Sequence, residues 1–129
     1  MGSIYTSYFG NHRNFPIGCF TISVARFLSS NIKVDLEATV IAPSSTTLFR
    51  YKHKEITQEQ YKKIYLKQLS DDRGQLKIFI KNILDISEDR DVLLLCYERD
   101  GDFCHRHILR KVINKVIKRS NLPEVVELW

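Results

Sequence analysis

Residues 91–111 read DVLLLCYERDGDFCHRHILRK, and the predicted fold follows from this stretch. Residues 91–97 form a short apolar run between charged turns, a pattern typical of a strand that is covered on both faces in a parallel sheet. Beyond the acidic turn, residues 103–119 carry apolar side chains at helical spacing: Leu109, Val112, Ile113, Val116 and Ile117. The stretch therefore predicts a buried strand, a turn and a helix.

The remaining segments alternate between strand and helix patterns. Runs rich in β-branched and aromatic residues predict strands at residues 3–8, 18–24, 37–42 and 125–128. Thr57 and Gln60 form the pattern of a capping box, which predicts the start of a helix. A break at residues 71–74 separates this helix from a second one. We predict a single α/β domain over residues 1–129, with three layers and a small, mostly parallel sheet flanked by helices.

Composition and charge narrow the class of protein. The chain has 129 residues, of which 43% are hydrophobic, so it is long enough to bury a core. Its net charge of +5 and its pI of about 9.2 favour an anionic partner, either a small molecule or a nucleic acid; the alternative is a soluble basic surface without such a partner. Because the chain has no apolar run of membrane-spanning length and no signal-peptide pattern, we expect a soluble, cytoplasmic protein with no membrane partner.

Three cysteines, Cys19, Cys96 and Cys104, are an odd number and too few for a disulfide framework. In a reducing compartment we expect all three to be thiols. Cys96 follows three leucines and has two interpretations, a packed core residue or a member of the site.

Reactive side chains gather at the predicted carboxyl end of the strand quoted above. In open α/β sheets the ligand site lies beyond the carboxyl ends of the strands. Cys96 and Glu98 end this strand. The next helix opens with Cys104, His105 and Arg106. We therefore expect both groups to face one crevice.

The start of this helix offers an activated thiol or an anion cradle. Asp102 is a candidate N-cap, which places free backbone N–H groups and the positive helix end beside Cys104. That setting binds anions and lowers the pKa of a thiol. His105 and Arg106 would strengthen both effects, and Glu98 would supply the acid or base. The alternative for Glu98 and Arg106 is a salt bridge across the turn.

A zinc site is a further alternative. Residues of the correct ligand type are Cys96, Cys104, His105 and His107. Their spacing argues against zinc, because there is no CxxC or HxxxH pair and adjacent helical residues point about 100° apart. We therefore predict no resident cofactor and no metal ligands, with zinc as the remaining alternative.

A second polar cluster follows the first predicted strand. It consists of Thr6, Ser7, Tyr8 and Asn11. Loops on a rigid scaffold often carry binding residues, so we expect these side chains to join the crevice, together with Arg26 at the end of the second strand. The alternative is a hydrogen-bonded turn without a ligand.

The stretch LLLCYERDGDFCHRHIL (93–109) resembles the signature of the domain-of-unknown-function family 488. IYTSYFGN (4–11) and APSSTTLFRYK (42–52) resemble the opening and the middle of its shorter members, so the resemblance covers about residues 3–117. Longer members have an Asp-Val-Arg segment where this chain has TISVARF, so only Arg26 is matched there. The resemblance implies a site made of Cys96, Glu98, Cys104, His105 and Arg106, supported by Thr6, Ser7, Tyr8 and Asn11. It implies no established reaction.

Together these features predict an enzyme-like α/β domain that binds a phosphate-bearing ligand, either a nucleotide or a nucleic acid. Catalysis is assigned to Glu98, Cys104 and His105, acting in hydrolysis or transfer at a glycosidic or phosphate-linked centre. Ligand binding is assigned to Thr6, Ser7, Tyr8, Asn11, Arg26, Cys96 and Arg106. Two alternatives stay open: a non-catalytic module that binds nucleic acid or a small molecule, and a zinc-binding protein.

Overall fold

A five-stranded parallel sheet is the centre of the fold. The structure, a computed structural model, describes residues 2–99 and 103–128. The strands within them are β1 (Ile4–Tyr8), β2 (Phe20–Ser23), β3 (Leu36–Glu37), β4 (Val92–Cys96) and β5 (Val126–Glu127). Their order across the sheet is β3-β2-β4-β1-β5, and every pair is parallel. The predicted α/β class with a small parallel sheet is confirmed.

The central strand β4 pairs with β1 on one side and β2 on the other. Each of its five residues is at most 1% exposed. Successive side chains of a strand point to opposite faces, so Leu93 and Leu95 face away from Val92 and Leu94. Because both sets are buried, both faces of β4 are covered, as the continuous apolar run predicts.

Four α-helices lie in the described part of the chain: α1 (Ser45–Lys52), α2 (Gln58–Asp71), α3 (Arg73–Ser87) and α4 (His105–Ile117). Short 3-10 helices occur at Phe9–Asn14, Thr39–Ile41 and Lys118–Ser120. The predicted capping box opens α2, because the Gln60 backbone N–H donates to Thr57 Oγ1 at 3.1 Å and the Thr57 backbone N–H donates to Gln60 Oε1 at 2.8 Å. The predicted start of α2 is therefore confirmed, whereas α3 begins at Arg73, inside the break that was predicted at residues 71–74.

Helix α1 is absent from the sequence prediction above. It begins after Ser44, whose hydroxyl accepts a hydrogen bond from the Thr47 backbone N–H at 3.2 Å. Leu48 and Tyr51 of this helix pack against the core. Leu48 and Tyr51 also line the candidate site described below.

Two predicted elements are wrong in their boundaries. The strand expected at residues 37–42 is a two-residue strand followed by the 3-10 helix Thr39–Ile41. The chain turns there because side chains bind its carbonyls: Tyr65 Oη donates to the Ile41 oxygen at 2.6 Å, and Gln68 Nε2 donates to the Ala42 oxygen at 2.7 Å.

The second correction concerns the start of α4. Cys104 is not helical but caps the helix, with its Sγ accepting from the Arg106 backbone N–H at 3.5 Å. The N-cap expected at Asp102 lies outside the described residues. The N–H groups of the first turn are engaged by Cys104 itself, because the His107 backbone N–H also donates to the Cys104 carbonyl oxygen at 3.2 Å.

The topology brings two strand ends together at one edge of the sheet. Strands β2 and β3 lie on one side of β4, whereas β1 and β5 lie on the other. The chain therefore leaves β2 toward one edge of the sheet and leaves β4 toward the other. In doubly wound sheets, ligands bind between two such strands, beyond their carboxyl ends. Among residues 2–99 and 103–128, no helix combines the length and the apolar character that crossing a bilayer requires.

Candidate functional site

Two adjoining cavities lie beyond the carboxyl ends of β2 and β4, with volumes of about 130 and 40 Å³. Leu48, Glu98 and His105 line both of them. The larger cavity also contacts Arg26, Phe27 and Tyr97, and the smaller one Tyr51, Tyr61 and Phe103. We call the pair the Glu98 crevice. The predicted crevice at this edge therefore has a physical counterpart.

A larger depression of about 460 Å³ lies elsewhere, between Ser44, Gln68 and Asp72. It contains none of the side chains assigned to the site from sequence. Two of its charged residues, Lys67 and Asp71, pair with each other at 2.9 Å. Size alone therefore does not make it the better candidate.

Glu98 places a carboxylate in the crevice. Glu98 is exposed, and one of its carboxylate oxygens lies within 4.8 Å of the sulfurs of Cys96 and Cys104. Burial, followed by the negative charge of Glu98, raises the pKa of Tyr61 in the smaller cavity. Across the described part of the chain, no donor forms a hydrogen bond with this carboxylate, so it is available to a ligand.

Cys96 and Cys104 form a disulfide between the end of β4 and the N-cap of α4. The prediction of three thiols is therefore wrong for this pair, while Cys19 is free and half-buried. The cysteine count did not predict this bridge, because three cysteines can form one disulfide and still leave one free thiol. Sulfur in a disulfide is neither a thiolate nucleophile nor a zinc ligand, so zinc is not indicated. The catalytic role of Cys104 stays a prediction, and it applies to the reduced protein.

Removing this disulfide is expected to destabilise the fold moderately. The bridge joins residues separated by 8 positions, so its loss increases the number of conformations open to the unfolded chain. Cys104→Ser keeps an N-cap oxygen and loses the bridge. Urea unfolding should show this loss in Cys104→Ser and in the wild type with dithiothreitol, but not in Cys19→Ser. Equal midpoints for oxidised and reduced wild type would contradict the prediction.

His105 is buried behind the crevice and hydrogen-bonded to the backbone. Its Nε2 lies 2.6 Å from the Val24 carbonyl oxygen, so Nε2 carries the proton that is donated. Burial lowers the pKa of His105 to about 4, against the raising effect of that hydrogen bond, and the Arg106 charge lowers it further. His105 is therefore neutral at pH 7, with its Nδ1 lone pair facing the Cys104 sulfur at 3.9 Å. It does not supply the positive charge that an anion cradle requires.

The buried imidazole makes stability depend on pH. His105 binds a proton near 6.5 in the unfolded chain and near 4 in the folded protein, so acid favours the unfolded state. Between pH 6.5 and 4.5 the free energy of unfolding should fall by about 2–3 kcal/mol. The pKa of Glu127 is lowered in the fold, so this carboxyl group makes stability depend on pH only below its ordinary pKa of 4.5.

Urea unfolding at several pH values checks this. His105→Gln keeps a donor for the Val24 carbonyl and should remove most of the slope between pH 6.5 and 4.5. His53→Gln, at an exposed histidine, should leave the slope unchanged. An unchanged slope in the His105 variant would show that another group is responsible.

Arg106 is wholly buried and fully engaged by the protein. Its Nε and Nη2 donate to the two carboxylate oxygens of Glu127, at 3.2 and 2.8 Å. Its Nη1 donates to the Glu98 carbonyl oxygen at 2.6 Å and to the Cys96 sulfur at 3.0 Å. Its guanidinium carbon lies 5.8 Å from the centre of the Tyr8 ring. The bidentate contact that was expected between Arg106 and a ligand anion is thus made with Glu127. Arg106 contacts Glu98 through the main-chain carbonyl group.

Glu127 is the residue that sequence reasoning missed. It lies on β5, 8% exposed, and accepts a hydrogen bond from Thr6 Oγ1 at 2.6 Å. Burial opposes its ionisation, but the hydrogen bonds from Arg106 and Thr6 and the Arg106 charge outweigh burial and hold the pKa of Glu127 below its usual value. The alternation in residues 125–128 was the available signal, since it places Glu127 on the same face as the buried Val125.

The amino-terminal cluster does not line the Glu98 crevice. Thr6 and Ser7 are wholly buried, and Asn11 Nδ2 donates to Ser7 Oγ at 3.1 Å and to the Leu128 carbonyl oxygen at 3.3 Å. These contacts match the hydrogen-bonded turn that was the alternative. Tyr8 reaches the site through the Arg106 guanidinium. Direct ligand contact by this cluster stays a prediction.

Arg26, which was expected in the crevice, lines its larger cavity together with Phe27. Arg26 is half-buried, and its Nε and Nη2 donate to the carbonyl oxygens of Pro43 and Ala42 at 2.9 and 3.0 Å. Phe27 is 67% exposed on the crevice wall. The sequence shows Phe27 directly after Arg26, but its exposure beside a cavity, which makes it a candidate ligand contact, is seen only in the structure.

Comparison with known proteins identifies the family. A family model described as the active DUF488-N3 subclade matches residues 4–116. No curated protein and no solved structure matches the chain. The matched range covers almost the same residues as the resemblance noted from the sequence. The chain therefore belongs to the DUF488-N3 subclade of the domain-of-unknown-function family 488.

Proposed function

We propose that this protein binds a nucleotide or a nucleic acid in the Glu98 crevice and catalyses hydrolysis or transfer at a glycosidic or phosphate-linked centre. The observation that carries the proposal is the Glu98 carboxylate, which is exposed and lines both cavities of the crevice.

The aromatic walls favour a ligand with a planar base. Phe27 is 67% exposed, and Tyr97 is 44% exposed beside it in the larger cavity. The Tyr97 ring is held in place, because its hydroxyl accepts from the Ser29 backbone N–H at 2.7 Å and its ring packs edge to face with Phe9, with the ring centres 4.9 Å apart. All nucleobases can stack on aromatic rings, and each stacked base contributes about 1–3 kcal/mol to the binding free energy.

Exposed cations rather than Arg106 would attract the phosphate. Arg99 follows Glu98 directly and is exposed, and helix α1, which contributes Leu48 to the crevice, carries exposed Arg50 and Lys52. Exposed arginine and lysine side chains bind phosphates while remaining solvated. The net charge of +5 acts in the same direction.

The chemistry assigned to Glu98 follows from its surroundings. A glycosidic carbon gains positive charge as its bond breaks, and a nearby carboxyl group can protonate the leaving atom or stabilise that charge. His105 is neutral and turned toward Val24, and Cys104 is held in the disulfide. Glu98 is therefore the acid/base group of the proposed reaction in the oxidised protein.

A substrate survey tests the proposal. Purified protein is incubated with nucleoside 5′-monophosphates, NAD+, and single-stranded DNA and RNA oligonucleotides, and products are detected by liquid chromatography and mass spectrometry. We expect release of a base or of a phosphate-linked fragment from one of these classes. Phe27→Ala should weaken binding about 5- to 100-fold, from the loss of one stacked base. Phe49→Ala is the matched control, since Phe49 is 57% exposed but outside the crevice.

The second candidate is a non-catalytic binding module. It is favoured by the state of Cys104 and His105, since a disulfide sulfur is not a nucleophile and the buried imidazole is hydrogen-bonded to the Val24 carbonyl oxygen. In that case oligonucleotides bind with an affinity that falls steeply with salt, and no product forms. Phe27→Ala then weakens binding while Glu98→Gln does not.

A further inference from the structure

We propose that Glu127 on β5 is a positioning residue for Glu98: by engaging Arg106 from one side, it fixes the main chain at Glu98 and leaves the Glu98 carboxylate free for the ligand. The catalytic part of this inference rests on the proposed function, whereas the positional part does not.

One guanidinium connects the two glutamates. Arg106 uses one edge, Nε and Nη2, for the Glu127 carboxylate at 3.2 and 2.8 Å. It uses Nη1 for the Glu98 carbonyl oxygen at 2.6 Å. A guanidinium is planar and rigid, so fixing one edge fixes the direction of the other donors. The position of Glu127 therefore sets the position of the Glu98 backbone.

Glu127 is itself held from a third strand. Thr6 Oγ1 on β1 donates to Glu127 Oε1 at 2.6 Å, and Thr6 and Glu127 are direct partners in the β1–β5 ladder. Both side chains are buried, at 0% and 8% exposure. A carboxylate with this support on a sheet strand is a fixed anchor.

The charge of Glu127 matters as much as its place. Arg106 is always protonated and wholly buried, so it needs an anion. Among the described residues other than Glu127, the carboxylate nearest to Arg106 along the chain is that of Glu98, whose backbone Arg106 already contacts. Capture of that side chain by Arg106 would remove it from the crevice. Glu127 thus satisfies Arg106 and keeps Glu98 available.

Glu127 lies beyond residues 4–116, the range matched by the family model. Its assignment therefore comes from the contacts of this structure alone. Strand β5 adds to the edge of the sheet a carboxylate that completes the surroundings of Arg106.

The test compares Glu127→Gln, Glu127→Asp and the control Glu124→Gln, at an exposed carboxyl group three residues earlier. Protein labelled with ¹³C at glutamate is titrated by NMR, and the Glu98 carboxyl signal is assigned by its loss in Glu98→Gln. In Glu127→Gln the midpoint of the Glu98 titration should move to lower pH by about one unit, because Arg106 then pairs with it. The control should match the wild type.

Activity supplies a second reading if the substrate survey finds a product. Glu127→Gln should lower kcat about 10- to 100-fold with less than a threefold change in KM, and move the acidic limb of the pH–rate profile the same way. Glu127→Asp keeps the negative charge, so it should recover a larger part of kcat than Glu127→Gln. If Glu127→Gln does not fold, Glu127→Asp should still show a smaller shift in the same direction.

The outcomes separate the two proposals. An unmoved Glu98 titration in a folded Glu127→Gln protein overturns the positioning role, even if the variant melts at a lower temperature. A shifted titration in a protein that turns over none of the compounds supports the positioning role and overturns the proposed catalysis. Equal effects of Glu124→Gln and Glu127→Gln would overturn the inference by showing a general charge effect.

Discussion

Glu98→Gln is expected to lower turnover at least about 1,000-fold while the melting temperature stays within about 2 °C of the wild type. The side chain is exposed and forms no hydrogen bond with the described residues, so the isosteric amide should fit without strain. The amide cannot exchange a proton at neutral pH, so acid/base catalysis stops. Steady-state kinetics with the compound identified in the survey, together with calorimetry, measure both quantities.

Glu55→Gln is the matched control for this prediction, because Glu55 is an exposed carboxyl group outside the crevice. It should leave both turnover and melting unchanged. Turnover retained by Glu98→Gln would rule out Glu98 as the acid/base group and favour the binding module. A large fall in melting temperature would instead mark Glu98 as a structural residue.

Arg106→Ala is expected to lower the free energy of unfolding by about 3–5 kcal/mol. Glu127 would then remain buried with one hydrogen bond from Thr6 and without its opposite charge. The Glu98 carbonyl would lose its donor as well. Chemical unfolding followed by circular dichroism measures the change.

A double variant separates the ion pair from simple packing. Arg106→Met with Glu127→Leu replaces both charges by apolar side chains and should be more stable than Arg106→Ala, since no unpaired charge stays buried. Arg110→Ala is the control one turn later on α4, where the buried Nε has no hydrogen-bond partner among the described residues. A double variant as unstable as Arg106→Ala would assign the loss to packing.

Local pattern was sufficient to predict the elements that carry the site. The apolar run at residues 91–97 predicted β4, and the Thr57 capping box predicted the start of α2. Both signals are local, since they depend on residues within one turn or one strand. Helix α1 was missed because its eight residues offer a short apolar stripe made of Leu48 and Tyr51.

The contacts inside the site could not be predicted from the sequence. The edge of the sheet places Glu98 and Cys104 together, but which way each polar side chain turns depends on partners far along the chain. Asn11 turns away from the crevice because the Leu128 carbonyl accepts from it. The sequence predicted that Arg106 binds a ligand anion, whereas in the structure its donors bind Glu127. The pairing of β5 with β1 brings Glu127 to this position, and the sequence does not reveal that pairing.

The Thr6–Glu127 hydrogen bond also has a consequence for biosynthesis. The two residues are 121 positions apart, so this contact forms only after most of the chain has been synthesised. Chains emerge from the ribosome amino-terminal end first, and contacts of large sequence separation form late. Until Glu127 is available, Arg106 lacks the carboxylate with which it pairs in the folded protein, and the support that we propose for the Glu98 backbone is incomplete. A nascent chain is therefore expected to have no competent Glu98 crevice before β5 has joined the sheet.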